Sequence, residues 1–301
     1  MDMISFIIPL HNHLAQTQAM LVSLYSSLPS TIDYEIIFVD DASTDGTANW
    51  LRSLTDPRLR FSLNALNRGY AASNNAGVFM AKGDVLALLN NDLVLSPGWL
   101  EPMLNALNLP LFNIGLVGNV QYRLADSAID HAGIAVSPRG QMQHAQRVDK
   151  APLLNVFAVT GACMLMRKAD YLSVGGFDEA YLNGCEDIDL CLKLRAAKKK
   201  ICVASESRIH HHVSLSRKVN TSRDLRNSRL LYSRWRREIK QELSRVWRAL
   251  LADGPAAYAA YWSEPIPPEL LATPWALSRS IAEAMLTREE AQWASVLNTT
   301  S

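Results

Sequence analysis

The chain reads as an α/β protein: a mixed, mainly parallel sheet flanked by helices, with a helical extension at the C-terminal end. Three observations lead there. Apolar runs of strand length, such as Ile36-Ile37-Phe38-Val39 and Val85-Leu86-Ala87-Leu88-Leu89, alternate with segments of helical period, the rhythm of βαβ units. Both runs stop at polar residues, Asp40-Asp41 and Asn90-Asn91-Asp92, the place where open α/β sheets bind ligands. Beyond Thr221 the strand pattern gives way to a long apolar stripe of helical spacing.

Length and composition agree with this reading. The 301 residues suffice for one large α/β domain plus an appendage, and 49% hydrophobic residues supply its core. No apolar run approaches the roughly 18 residues of a membrane span. The opening Met1-Asp2-Met3-Ile4 lacks a basic region, so no signal peptide is expected. Cys163, Cys185, Cys191 and Cys202 form no C-x-x-C pair, which favours free thiols in a reducing compartment, the cytoplasm, over zinc or disulfides.

In chain order, Ile4-Ser5-Phe6-Ile7-Ile8-Pro9 predicts a first strand ended by proline. Leu14, Leu21, Leu24, Tyr25 and Leu28 predict a helix, and residues 35–39 a second buried strand. Ser43 or Thr44 can then cap a helix through residue 54. A short strand over 59–63 precedes the small-residue stretch Asn67-Arg68-Gly69 to Asn74-Asn75-Ala76-Gly77, whose helix covers 70–81. Strand 85–89 follows, and Ser96-Pro97 opens a helix to residue 107 with proline at an early position. Residues 115–120 read as a strand, and 122–149 as hairpins and loops less buried than the first half. Strand patterning resumes over 156–160 and 162–167, with a short helix over 168–174 stopped by Gly175-Gly176. A helix over 186–197, a last strand over 200–204 and a basic helix over 221–250 complete the pattern. Gly254-Pro255 breaks that helix, and a tail with Trp262, Trp275 and Trp293 is expected to form packed helices.

Several clusters carry chemistry, each with a plainer reading beside it. Asp92 can ligate a divalent metal and Asn90 can bond a ribose or phosphate, although Asn-Asn-Asp also suits a simple turn. Asp40 and Asp41 can accept from a pyrimidine N–H or a ribose hydroxyl, or can serve only as dipole partners of the next helix. Arg68, at a helix entrance, can meet a diphosphate, or stand beside an ordinary turn. Glu186, Asp187 and Asp189 crowd one helical first turn. Dipole arguments explain one carboxylate there better than three, and one can be a general base poised by its neighbours' like charge. Of His210-His211-His212, adjacent side chains in a strand point to opposite faces, so one imidazole joining Asp92 on a metal fits better than a three-histidine site. Between Lys193 and Arg248 stand 17 Lys and Arg against 4 Asp and Glu, while the whole chain carries +1. Such asymmetry points to an anionic partner: donor phosphates, a lipid-phosphate acceptor or a membrane surface, with a solvated helix face as the plain reading.

Six motifs in order resemble a family-2 inverting glycosyltransferase of the nucleotide-diphospho-sugar transferase (GT-A, Rossmann-like) superfamily. They are Ile7-Ile8-Pro9-Leu10-His11-Asn12; Val39-Asp40-Asp41-Ala42-Ser43-Thr44-Asp45-Gly46-Thr47; Asn67-Arg68-Gly69 with Asn74-Asn75-Ala76-Gly77; Leu89-Asn90-Asn91-Asp92; Gly184-Cys185-Glu186-Asp187-Ile188-Asp189-Leu190; and His211-His212-Val213-Ser214-Leu215-Ser216. The departure is Asn90, where many relatives carry the first Asp of D-x-D. The N-x-D form is similar to that of rhamnosyltransferase-like enzymes of bacterial surface polysaccharides. The resemblance implies a GT-A domain over 1–217, with a nucleotide-binding half (1–121) and an acceptor and catalytic half (122–217), followed by a helical extension over 218–301.

By the same resemblance, Asp40 and Asp41 hold the base and ribose with Pro9 and His11 lining the pocket, Arg68 and Asn75 lie near the ribose or diphosphate, and Asn90 and Asn91 complete the nucleotide-binding set. Asp92 and His211 hold Mg²⁺ or Mn²⁺, Asp187 is the general base, and Glu186 orients it or the acceptor. The implied partners are a UDP- or dTDP-sugar donor and a glycan or lipid-linked acceptor, with no nucleic acid. The basic C-terminal helices offer a face to a membrane or partner protein, so the implied place is the cytoplasm or its membrane face. The rivals are a catalytically weak nucleotide-sugar-binding module and a sugar nucleotidyltransferase, though Leu10-His11-Asn12-His13 is not the Gly-rich basic loop of the latter.

Overall fold

The structure, a computed structural model, describes residues 2–148, 150–212, 221–261 and 273–298. Val213 to Ser216, the end of the sixth motif, and Trp262 lie outside them. Two compact units form: Met1–Ile134 with His144–Lys218, and Ala135–Gln143 with Val219–Ser301.

The first unit is built on one sheet. Its strands are β1 (Ile4–Leu10), β2 (Tyr34–Asp40), β3 (Leu59–Leu63), β4 (Val85–Leu89), β5 (Leu93–Val94), β6 (Ile114–Arg123), β7 (Ile129–His131), β10 (Leu153–Asn155), β11 (Cys163–Arg167) and β12 (Lys200–His211). The main order is β10-β12-β6-β11-β4-β1-β2-β3, with β5 on β12 and β7 on β6. β3, β2, β1 and β4 are mutually parallel. β11 is antiparallel to both β4 and β6, and β12 is parallel to β6. The carboxyl ends of β1, β2, β3, β4, β6 and β12 therefore all open at one edge, where β11 begins.

Helices α1 (Leu14–Ser27), α2 (Thr47–Ser53), α3 (Gly69–Met80), α4 (Leu100–Leu107), α5 (Lys168–Ser173) and α6 (Glu186–Ala196) belong to this unit. Every residue of β4 is buried, as its unbroken apolar run requires of a strand covered on both faces. Gly77 of α3 has no room for a side chain, since a Cβ would stand 2.4 Å from Ile7 Cγ2.

Several local expectations needed correction. α2 begins at Thr47, so neither Ser43 nor Thr44 caps it. Instead Ser43 Oγ accepts from Asn12 N–H, and Asp45 Oδ1 accepts from Thr47 Oγ1 at 2.6 Å. α4 begins at Leu100 because Gly98, at φ 88°, sits in the left-handed region and breaks the turn opened by Pro97. Residues 156–160 are not a strand; β10 forms just before them, and Ala158 makes one isolated bridge with Ile134. β12 runs through His211, well past residue 204, because β6 beside it is also long. Residues 122–149 hold β7, β8 (Ile134–Val136) and β9 (Met142–His144), and are not uniformly exposed: His131, Ala132, Ile134 and Val136 are buried.

The second unit contains α7 (Thr221–Ala252), α8 (Pro255–Tyr258) and α9 (Pro274–Asn298). α7 is kinked at Trp235, whose φ of −117° leaves the helical region. Leu231, Ile239, Leu243 and Trp247 of α7 and Ile281, Ala282 and Leu286 of α9 are buried. Residues 135–143 join this unit through bonds to its helices: Trp247 Nε1–H donates to Pro138 O at 2.9 Å, and Tyr232 Oη–H to Gly140 O. Part of the basic charge of α7 is met by α9. Arg236 pairs with Glu283 and Glu290 at 2.7 and 2.8 Å, and Lys240 with Glu283 at 2.6 Å.

Candidate active site

Three groups of residues meet along the carboxyl edge of the sheet. The first lies where β1 and β2 end. Asn12 and His13 adopt φ of 61° and 62°, turning the chain sharply out of β1 just past the half-buried Pro9. His11 Nδ1 is 2.8 Å from Asp41 O; a carbonyl only accepts, so Nδ1 carries the proton and Nε2 is the acceptor. Asp40 Oδ1 accepts from Ser43 N–H at 3.2 Å.

Asp41 is buried. Its Oδ1 accepts from Asn64 Nδ2 and Arg68 N, and its Oδ2 from Gly69 N, each at 2.8 Å. The carboxylate thus holds the first amides of α3, a position that the helix dipole favours for an anion. The Arg68 guanidinium points to Glu179 Oε2 at 3.1 Å, and both side chains are about half exposed, 56% and 46%. Asn75 shares the Glu179 carboxylate with Arg68. Its Nδ2 donates to Phe177 O and Glu179 Oε1, and its Oδ1 accepts from Tyr171 Oη and Phe177 N. Those bonds use its amide to tie α3 to the 171–179 segment.

The second group forms where β4 meets β12. Asn91 Nδ2 donates to Thr17 Oγ1 at 2.9 Å, anchoring the turn to α1. β5 pairs antiparallel with the end of β12, Leu93 opposite His211. This register sets His211 Nε2 3.1 Å from Asp92 Oδ1, across 119 residues of sequence. The His210 ring instead packs on Tyr122, 5.8 Å between centroids, as strand alternation requires. His211 Nδ1 is buried with no partner among the described residues. Those residues contain no cluster of three or more His, Cys, Asp or Glu able to hold a metal. One carboxylate and one imidazole are donors of the kind a divalent cation could take, with further ligands needed from elsewhere.

The third group surrounds Thr160-Gly161-Ala162, a short segment pinned by four distant residues. Asn90 N–H donates to Ala162 O at 2.9 Å, and Tyr70 Oη–H to Gly161 O at 2.6 Å. Gly161 N–H donates to Asp187 Oδ2 at 3.0 Å, and Thr160 N–H to His131 Nε2 at 3.2 Å. A Cβ on Gly161 would lie 2.9 Å from Tyr70 Oη, so a side chain here would have to displace that ring. The segment joins Asn90, two residues from Asp92, to Asp187 on α6.

The acids of α6 have separate tasks. Glu186 accepts from Gly184 N–H, folding the turn that opens the helix. Asp187 accepts from both Gly161 and Ile188 N–H. Asp189 pairs with Lys193 at 2.9 Å. Burial raises the Asp187 pKa, opposed by its N–H donors and, electrostatically, by nearby His144. Burial is the largest cause of this rise. Burial also raises the Tyr70 pKa, and the charges of Glu186 and Asp187 add to it. His131 is pushed down to about 3 by burial, aided by His144 and His211, so it stays neutral.

The glycosyl transferase family 2 profile matches residues 5–174. The chain belongs to glycosyl transferase family 2. The match takes in β1 through β11 and the Asn90-Asn91-Asp92 turn. An uncharacterized protein of Sinorhizobium fredii is 31% identical over 263 residues, 82% of this chain and 28% of that one. The O-antigen biosynthesis protein RfbC of Myxococcus xanthus is 30% identical over 200 residues, 62% of this chain. The chain spans only 28% and 16% of the length of these two relatives. Among solved structures, GalNAc-T7 with UDP, GalNAc and Mn²⁺ aligns with a TM-score of 0.67 at 16% identity, covering 94% of this chain and 54% of that one. This likeness identifies the fold as GT-A, as the motifs implied.

The structure brings Asp92 to His211 and ties Asn90 and Asp187 to one segment, while Asp41 and His11 join the neighbouring turn. Asn75 joins Arg68 at Glu179. Tyr70, His131, His144 and Gly161 escaped the sequence reading. Gly161, inside Thr160-Gly161-Ala162, was the one with a legible signal, a small-residue break between two strand patterns.

Proposed function

We propose that the protein is a metal-dependent, inverting glycosyltransferase that moves a sugar from a UDP- or dTDP-sugar to a hydroxyl of a glycan or lipid-linked acceptor in bacterial surface polysaccharide synthesis. The observation that carries this is the Thr160-Gly161-Ala162 segment, held by Asn90 beside the Asp92–His211 pair and by Asp187 on α6. A donor diphosphate next to the pair would bring its anomeric carbon toward the carboxylate of Asp187. Asp187 takes the proton of the acceptor hydroxyl as that oxygen attacks; the nucleoside diphosphate leaves from the opposite face, and the anomeric centre inverts. Glu186 holds the turn that positions Asp187. His11, Asp40 and Asp41 line the place of the base and ribose, with Pro9 behind them. Asn91 anchors the metal turn, and Arg68 lies at the approach of the diphosphate. Asp92 and His211 would hold Mg²⁺ or Mn²⁺, which when bound offsets charge on the leaving diphosphate.

Among the described residues no helix is long and apolar enough to cross a membrane. We place the enzyme in the cytoplasm or at its membrane face, where lipid-linked acceptors are displayed. A weak nucleotide-sugar-binding module is the alternative that Asn90 favours, since an amide in place of a carboxylate lowers the charge available to a metal. The test is a thermal-shift screen of UDP-, dTDP- and GDP-sugars with and without Mn²⁺, followed by donor hydrolysis with the best stabiliser. Mn²⁺-dependent stabilisation with turnover supports the transferase; stabilisation without turnover supports the binding module; no response to any donor sinks both.

A further inference from the structure

Two histidines outside every motif stand beside the proposed base. His131 is buried at the end of β7, and its Nε2 accepts from Thr160 N–H, so Nδ1 carries the proton; that N–H has no partner among the described residues. The chain then folds back on itself. Ala132 N–H donates to Ala145 O and Ala145 N–H to Gly133 O, both at 2.8 Å. This return sets the His144 ring edge-to-face on His131, 5.0 Å between centroids and 71° between planes. His144 is exposed, and its charge acts on Asp187. Consecutive amides, Thr160 and Gly161, bind His131 and Asp187 respectively, so one peptide unit fixes the spacing between the histidine pair and the carboxylate.

We propose that His144, braced by His131, is a wall of the acceptor subsite and hydrogen-bonds an acceptor hydroxyl next to the one that Asp187 deprotonates. The inference rests on the reading of Asp187 as base. The reacting hydroxyl must come within about 3 Å of that carboxylate. An exposed imidazole close by, when neutral, offers one donor and one acceptor, the complement of a sugar's vicinal hydroxyls. Because His131 is neutral and locked by Thr160, the ring of His144 is held before the acceptor arrives, which lowers the entropic cost of binding. The role is one of binding and specificity: no bond breaks at His144.

The test compares two reactions that share donor and base but not acceptor. One is hydrolysis of the best-stabilising nucleotide-sugar with Mn²⁺, where water is the acceptor. The other is transfer from the same donor to a panel of p-nitrophenyl glycosides. In His144→Leu, transfer kcat/KM should fall on the order of 10- to 100-fold through the acceptor KM, as for one lost bond to a substrate hydroxyl. Measured well above the acid limb, where Asp187 is ionised in both proteins, hydrolysis rate and donor KM should stay at the wild-type level. His144→Gln, which can still donate and accept, should regain part of the loss and reads the same effect if the Leu variant folds poorly. Equal losses in both reactions, or no loss in either, overturn the inference. So does a wild-type enzyme that hydrolyses donor but transfers to no glycoside. Asp187→Asn is the separate control: full hydrolysis and transfer in that variant would remove the base reading, on which this inference depends.

Discussion

Asp187→Asn tests the centre of the proposal, and the structure sets two magnitudes for it. The two carboxylate oxygens accept from Ile188 and Gly161 N–H at 2.8 and 3.0 Å. An asparagine can keep one of these bonds through its oxygen, but its NH₂ must then face the other N–H donor. An unsatisfied buried donor costs about 1–3 kcal/mol. For a domain of this size that lowers Tm by about 2–12 °C. The loss of a general base should cut transfer by about 10²–10⁴-fold. Donor binding, which uses other residues, should survive, so the thermal shift with nucleotide-sugar and Mn²⁺ should match wild type in size. The pH profile gives a second check. Burial raises the Asp187 pKa, so the ionised base is lost on acidification sooner than for an ordinary carboxylate, and the acid limb of kcat should lie above the usual aspartate range. The reactions to follow are nucleoside diphosphate release and transfer across pH. Wild-type turnover in Asp187→Asn, or an acid limb that is unchanged in it, would refute the reasoning.

Other perturbations separate the remaining roles. Asp92→Ala should abolish the Mn²⁺-dependent part of donor stabilisation together with activity; full wild-type activity in excess chelator would remove the metal assignment. Gly161→Ala puts a Cβ 2.9 Å from Tyr70 Oη and should destabilise by about 1–3 kcal/mol while reducing turnover, because it displaces the donor to Asp187; an unchanged Tm and rate would show the segment to be pliable. Asn75→Ala should lower Tm through the bonds lost to Phe177, Tyr171 and Glu179 while leaving donor KM unchanged, and a raised donor KM with unchanged Tm would return Asn75 to the binding site. Arg58 beside Asp56 lowers that carboxyl to about 2. Its stabilisation is therefore present above the unfolded carboxylate range and is lost as pH falls toward 2. Asp56→Asn should lower Tm at pH 7 and converge with wild type near pH 2; parallel Tm curves would exclude this linkage.

What the sequence determined by itself was local. Apolar runs of strand length and helical spacing are set by side-chain alternation along a few residues, so β1, β3, β4, α1, α3 and α6 were legible to within a residue or two, and with them the polar ends that mark the binding edge. The tertiary structure alone decided which of those polar ends meet. Asp92 reaches His211 only because β5 pairs with the end of β12, and Asp187 reaches the Asn90 turn only through the Thr160-Gly161-Ala162 backbone. Asn75 and Asp41 looked alike as ligand-facing polar residues. Partners brought from other segments consume both: Phe177, Glu179 and Tyr171 occupy the amide of the first, and Asn64 Nδ2 with the Arg68 and Gly69 amides occupies the carboxylate of the second. His131 and His144 carried no periodic signal, since their pairing depends on a chain reversal in an irregular stretch. The physical reason is common to all: hydrogen bonds and ring contacts between residues from 13 to more than a hundred positions apart depend on strand order, register and chain reversals, and the local pattern of a chain does not specify them.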